Sequence, residues 1–227
     1  MKPLKLIFLV LGTVPLILAS CSGNASQKAA ETNAPSMAQM DHGSMKNSSG
    51  SMQMDHGTMN MNLGPKDQAF DLRFIDGMMP HHEGAIAMAK EALQKSNRPE
   101  IKQLAQNIIN AQQQEIAQMK TWRSDWYPNA GSTPMMYDAQ VGHMMPMSTA
   151  MRSSMMMNQD LGAADQQFDL RFLNAMIPHH QGAVTMANQA LEKSSRTEIK
   201  QLAQNIITSQ QKEIDQMNQW KRQWYSQ

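Results

Sequence analysis

Apolar positions recur along much of the chain at steps of three and four, the spacing that gathers side chains on one face of an α-helix. Phe70, Phe74, Gly77 and Met78, His81, Ala85, Met88 and Ala92 mark one such face and predict a helix over 70–96. Ile101, Leu104 and Ala105, Ile108 and Ile109, Gln112, Ile116, Met119, Trp122 and Trp126 mark a second, ending near Trp126. Pro80 lies inside the first helix; it removes a backbone donor and its ring presses on the Asp76 carbonyl, so a kink is expected just before His81 and His82. Asn97-Arg98-Pro99-Glu100 reads as a capping box opening the second helix. The pair forms an αα-hairpin with arms of about 28 residues, or roughly 42 Å.

The whole unit then returns. Phe70 to Tyr127 reappears without a gap as Phe168 to Tyr225, with Ser195-Arg196-Thr197-Glu198 at the second hairpin turn. The copies have drifted: Lys90 corresponds to Asn188, Asp125 to Gln223 and Met79 to Ile177. Met78, Pro80, His81, His82, Gly84, Met88 and Met119 nevertheless recur as Met176, Pro178, His179, His180, Gly182, Met186 and Met217. Four amphipathic helices in two hairpins predict an all-α, four-helix bundle over 64–227, with repeats at 64–127 and 161–227 and a long crossover at 128–160.

The pattern breaks down outside the repeats. Lys2 and Lys5 precede an apolar run, Leu6 to Leu18, too short for the roughly 20 residues that a membrane span needs and laid out like a secretory signal. It ends Leu18-Ala19-Ser20-Cys21, which resembles a bacterial lipoprotein processing box. The expectation is a lipoprotein-type signal over 1–21 and an exported, periplasmic protein held on a membrane surface by acyl chains on Cys21. An ordinary signal with Cys21 as a bystander is the alternative. Residues 22–63 have scarcely a bulky aliphatic or aromatic side chain and read as a disordered tether.

Composition adds one anomaly. Of 227 residues, 24 are Met and 7 are His, while Cys occurs once, so thioether and imidazole are abundant and no internal disulfide is possible. A net charge of +1 without a basic run, and aromatics at 5%, leave no footprint for nucleic acid. The tether carries Met40-Asp41-His42-Gly43-Ser44-Met45 and Met54-Asp55-His56-Gly57-Thr58-Met59. One reading is a plain solvated linker, although such linkers favour Ser, Gly, Glu and Lys over an oxidisable thioether; in the other, Met40, His42, Met45, Met54, His56 and Met59 wrap Cu(I) or Ag(I), with His and Asp offering a foothold to Cu(II). In the crossover, His143 and Met144 have the same character, whereas Met155-Met156-Met157 reads as packing that opens the third bundle helix.

His81 falls where a core Leu would be expected, and a turn near residue 97 sets His81 and His82 level with Gln112, Gln113 and Gln114. Two readings stay open: buried His satisfied by a facing Gln, with Met as packing, or a set of soft-metal ligands. Three residues before each His there is no Glu, so a di-iron carboxylate centre is ruled out; nor is there a nucleophile elbow, a phosphate-binding Gly loop or a His-Glu-x-x-His zinc motif. The duplicated Phe-Asp-Leu-Arg-Phe-x-x-x-Met-x-Pro-His-His-x-Gly-Ala-x-x-Met-Ala, followed by a Gln-rich helix closing in Met and Trp, resembles the CopM-like bacterial copper-resistance family over about residues 64–227. The resemblance implies a ferritin-like four-helix bundle and an exported, non-enzymatic copper-binding role in copper tolerance. Carried onto matching positions, it implies Met78, His81, His82, Met88, Met119, Met176, His179, His180, Met186 and Met217 as ligands. The lipid anchor is not part of that resemblance. A copper-dependent oxidoreductase and a metal-free, partner-binding bundle are the competing functions.

Overall fold

The computed structural model describes residues 61–226. Its elements are α1 (Phe70–Lys95), α2 (Pro99–Trp126), β1 (Met135–Asp138), β2 (His143–Pro146), α3 (Thr149–Met156), α4 (Phe168–Lys193) and α5 (Thr197–Tyr225). The four long helices are those the repeat predicts, arranged as two antiparallel hairpins, α1 with α2 and α4 with α5. The hairpins pack on each other chiefly through α1 and α4. These two run antiparallel, since Lys193 lies over the Phe70 ring and Lys95 over the Phe168 ring, each at 5.9 Å. The core follows the predicted stripes: Phe70, Phe74, Phe168 and Phe172 are at most 1% exposed. Each contributes about 2 kcal/mol by leaving water.

Both hairpin turns depart from the expected capping box. Arg98 and Arg196 occupy the N-cap positions and make no side-chain cap bond. The turn is held instead by buried serines two residues earlier: Ser96 Oγ accepts from the Arg98 N–H and Ser194 Oγ from the Arg196 N–H, each at 3.1 Å. This frees the two arginines to reach across the bundle. Arg98 stacks 4.2 Å from the Trp224 ring and pairs with Asp169, while Arg196 stacks 4.1 Å from Trp126 and pairs with Asp71. Each copy's turn is thus clamped onto the open end of the other. Beneath the clamps, burial and then a neighbouring carboxylate, Asp71 or Asp169, raise the Tyr127 and Tyr225 hydroxyls above their ordinary pKa.

The packed chain begins before residue 64. Met61 and Leu63 are core residues, and Gln189 clips them to α4: its Nε2 donates to the Met61 carbonyl at 2.6 Å and its Oε1 accepts from the Leu63 N–H at 3.0 Å. A turn wound on Arg73 follows, whose Nε donates to the Leu63 carbonyl and Nη2 to the Pro65 carbonyl. Arg171 repeats it on Leu161 and Ala163. Both turns pass through a glycine at positive φ, Gly64 at 84° and Gly162 at 74°.

Pro80 and Pro178 are accommodated within continuous helices. The crossover is more structured than a connector: β1 and β2 form an antiparallel hairpin against α1, and Met155 to Met157 close the short helix α3 rather than opening α4. Among the described residues, no helix is long and apolar enough to cross a membrane. The signal segment, Cys21 and the tether through residue 60 lie outside the described residues.

Candidate metal centre

All ten ligand candidates within the repeats are buried: Met78, His81, His82, Met119, Met176, His179, His180, Met186 and Met217 at 0% exposure and Met88 at 1%. The structure brings together only some of them. His81 on α1 and His179 on α4 meet at the interface of the copies, ring centroids 3.9 Å apart, and the His180 ring lies 6.3 Å from His179. Met78, Met88, Met119, Met176, Met186 and Met217 all belong to the apolar core among Phe and Ile side chains. Met40, His42, Met45, Met54, His56 and Met59 lie outside the described residues. His143 is exposed on β2, and Met144 follows it on the same strand, half-buried.

The facing Gln residues do not satisfy the histidines. His82 Nε2 lies 2.7 Å from Glu115 Oε2, at ion-pair distance though not aligned as a hydrogen bond. His180 Nε2 is hydrogen-bonded to Glu213 Oε2 at 2.7 Å. The Oε1 atoms of Gln112 and Gln210 are buried without hydrogen-bond partners among the described residues. The register is therefore about one helical turn off the expected one, because the Ser96 and Ser194 turns set where the arms fold back.

His81 and His179 are left unevenly matched. Neither ring nitrogen of His81 has a hydrogen-bond partner among the described residues, whereas His179 Nε2 lies 3.0 Å from the Met156 carbonyl, to which it donates, leaving Nδ1 as a bare acceptor. Burial, then the neighbouring His179, His82 and His180, hold the His81 pKa well below its ordinary value. Burial and then His180 depress that of His179 to about 3, the Met156 carbonyl and, more weakly, the His81 backbone pulling the other way. Both imidazoles are thus neutral at physiological pH, with lone pairs facing the protein interior. Unsatisfied buried nitrogens cost free energy, and a bound cation removes that cost without a proton to displace.

Met61 and Met157 approach His81 beside Gly182, and Met155 and Met186 meet beside Gly77, four residues before His81 on α1. A methyl built on Gly182 would meet His81 Nε2 at 3.0 Å, Met61 Cε at 3.2 Å and Met157 Sδ at 3.5 Å. One built on Gly77 would meet Leu63 at 3.4 Å, Met186 Sδ at 3.8 Å and Met155 Cε at 3.9 Å. At Gly84, the mate of Gly182, the same methyl would lie 1.7 Å from the Met156 carbonyl oxygen, so only glycine lets α3 seat on α1. Met61, Met155 and Met157 were not among the candidates within the repeats. Their signal was present as Met-rich sequence beside each repeat, but nothing in the spacing says that those segments fold back onto it. Among the described residues, no three His, Cys, Asp or Glu side chains are grouped to hold a metal. What converges is imidazole and thioether, a donor set that suits a soft ion.

Fold and centre together define a class: a duplicated helical-hairpin bundle with a buried imidazole and thioether cluster where the copies meet. The sequence profile of the domain of unknown function DUF305 matches residues 18–123 and again 71–221, and the chain belongs to that family. It is similar to solved structures of CopM. The Cu(II)-bound form is 43% identical with a TM-score of 0.55, and the Cu(I)-bound form 41% identical at 0.53; each alignment covers 68% of this chain and 97% of that one. A Ag-bound CopM is 42% identical at 0.55 with the same coverage. A segment is also 50% identical over 50 residues to an uncharacterized protein of Acanthamoeba polyphaga mimivirus, covering 22% of this chain and about a third, 33%, of the viral protein.

Proposed function

We propose that this protein binds copper and sequesters it outside the cytoplasm, contributing to copper tolerance, with Cu(I) the preferred ion, Cu(II) a second and Ag(I) a surrogate. The observation that carries this reading is the His81–His179 pair: two wholly buried imidazoles in contact, with three ring nitrogens lacking hydrogen bonds among the described residues, and with the Met61 and Met157 thioethers beside His81. Copper in both oxidation states, and silver, occupy the CopM structures to which the chain is similar. His81 Nε2 and His179 Nδ1 would be the imidazole donors and Met157 Sδ a thioether donor, with Met61 beside them and Met155 and Met186 near Gly77 on the same helix as His81. The two repeats share this one centre. His82 and His180 brace it through Glu115 and Glu213, the carboxylate holding one ring nitrogen and so orienting the other. A centre buried this deeply suits retention of an ion rather than turnover of a substrate. The Met-rich tether collects ions, and the Leu18-Ala19-Ser20-Cys21 box exports the protein and anchors it by lipid; intact-mass measurement of membrane-extracted protein tests that step through acylation of Cys21.

The test of the centre is anaerobic Cu(I) titration of the full chain against a chromophoric competitor. His81→Gln removes one tightly held equivalent, His179→Gln removes the same one, and the double variant loses no more. Gln preserves polarity but is a poor soft-metal donor. A double variant with undiminished copper content overturns the assignment. Half-loss in each single variant, with additive loss in the double, shows two separate sites instead of a shared one.

A further inference from the structure

The β1–β2 hairpin presents a second set of soft donors, away from the buried pair. Its register opposes Met136 to Met145 and Asp138 to His143, while Tyr137 opposes Met144. Side chains alternate along a strand, so these pairs fall on two faces. Tyr137 fixes which is which: its ring sits against Gly64, where an added methyl would lie 2.5 Å from Cγ, and 5.6 Å from the Arg73 guanidinium. Tyr137 and Met144 thus face the bundle, and Met136, Met145, Asp138 and His143 share the outer face. Met136 and Met145, directly opposed, have Cβ atoms about 5 Å apart, and His143, diagonal to Met136, lies about 7–8 Å from it, a span that long side chains can close on a common ion.

His143 is set up as a donor. Its Nδ1 lies 3.0 Å from the Met144 carbonyl, to which it donates, and this leaves the lone pair on Nε2 of an exposed ring. The same arrangement fixes the tautomer of many metal-bound histidines. Asp138 Oδ1 accepts from the Gln140 N–H at 2.7 Å and so holds the turn, adding negative charge next to the ring. We propose that Met136 and Met145, both half-buried, and the exposed His143 through Nε2 form a site at the hairpin surface for a soft monovalent cation, Cu(I) or Ag(I), distinct from the buried centre. The site rests on the copper-binding reading for its physiological ion but not on the His81–His179 centre for its geometry. Met144, on the inner face, takes no part in it.

The test follows the imidazole nitrogens of the full chain by NMR during Ag(I) titration, with His143 assigned by its loss in His143→Gln. The site predicts that Ag(I) shifts the His143 Nε2 resonance. Met136→Leu with Met145→Leu raises the Ag(I) concentration needed for half the shift by about tenfold or more, and His81→Gln with His179→Gln leaves it unchanged. A His143 resonance that stays fixed while the other sites fill overturns the proposal, and the two thioethers are then cross-strand packing. A shift undiminished in the Met double variant overturns it as well, showing His143 binding alone. If His143 moves while His81 and His179 do not, the hairpin site stands and the buried centre fails.

Discussion

The two repeats have nearly the same sequence, yet they are covered by different parts of the chain. The crossover closes over the first: Asp76, wholly buried, takes Arg123 Nε at 2.5 Å and the Met135 N–H at 2.8 Å, and Glu83 pairs with Arg152 of α3. The Met61–Leu63 strap closes over the second through Gln189. The mates of these residues are Asn174, Gln181 and Glu91, which hold no crossover or strap among the described residues; Asn174 is exposed, and Glu91 pairs with Lys95 on its own helix. Divergence between the copies has fallen where non-repeated segments dock. The shared core keeps the pseudo-twofold, and the covers break it, giving His179 a carbonyl partner and His81 none.

The largest expected effect is acid lability of the metal-free protein, to which both the paired and the unpaired imidazole contribute. Above pH 6.5 both are neutral whether folded or unfolded and contribute no pH dependence. As pH falls below 6.5, the unfolded chain takes up protons that the core refuses, so stability drops. For His179 this continues to about pH 3. The folding equilibrium constant falls roughly tenfold per pH unit for each imidazole. Urea unfolding from pH 7 to pH 4 should show this steep loss, and His81→Gln with His179→Gln should flatten it.

Next in size is Asp76→Ala, which strips Arg123 of its buried carboxylate and should cost about 3 kcal/mol or more. Asn174→Ala, at the matching exposed position, should stay within about 0.5 kcal/mol. Chemical denaturation of the two variants side by side checks both. Equal losses would mean that the crossover anchor does not distinguish the copies.

The glycines give a smaller, more specific contrast. Gly84→Ala drives a methyl into the Met156 backbone, which cannot yield without moving α3, and should cost about 2–3 kcal/mol. Gly182→Ala meets only side-chain ends, and the gain in helix propensity, about 1 kcal/mol, roughly offsets the crowding. Its effect should appear instead as weaker Ag(I) binding, measured by calorimetry, because His81 Nε2 and Met157 Sδ are pushed aside.

Gln189→Ala is the mildest. Losing two hydrogen bonds to the strap should cost about 1–2 kcal/mol and speed amide exchange at Leu63. Glu91→Ala should change strap exchange not at all and stability by no more than about 0.5 kcal/mol, since its half-buried i,i+4 pair with Lys95 lies within one helix and is worth little.

How much of this was legible in the sequence depends on whether a feature is periodic. The four helices, the two hairpins and the burial of His81 and His179 follow from apolar steps of three and four and from the duplication. A helix face is fixed by local geometry, and a repeated face must be buried against its copy. The His partners were misassigned because hairpin register depends on the turn, and Ser96 and Ser194 shift it by about one helical turn. Met61, Met155 and Met157 could not be placed, since no periodicity links them to Gly77 or Gly182. The sequence alone determined the donor types, thioether and imidazole, and that one histidine of each copy, His81 and its mate His179, would be withdrawn from water; that His82 and His180 are buried as well came from the structure. Only the tertiary structure decided which donors meet: antiparallel packing of α1 on α4 sets His81 against His179, and the carbonyl of Met156, many residues away in the chain, selects which lone pair stays free.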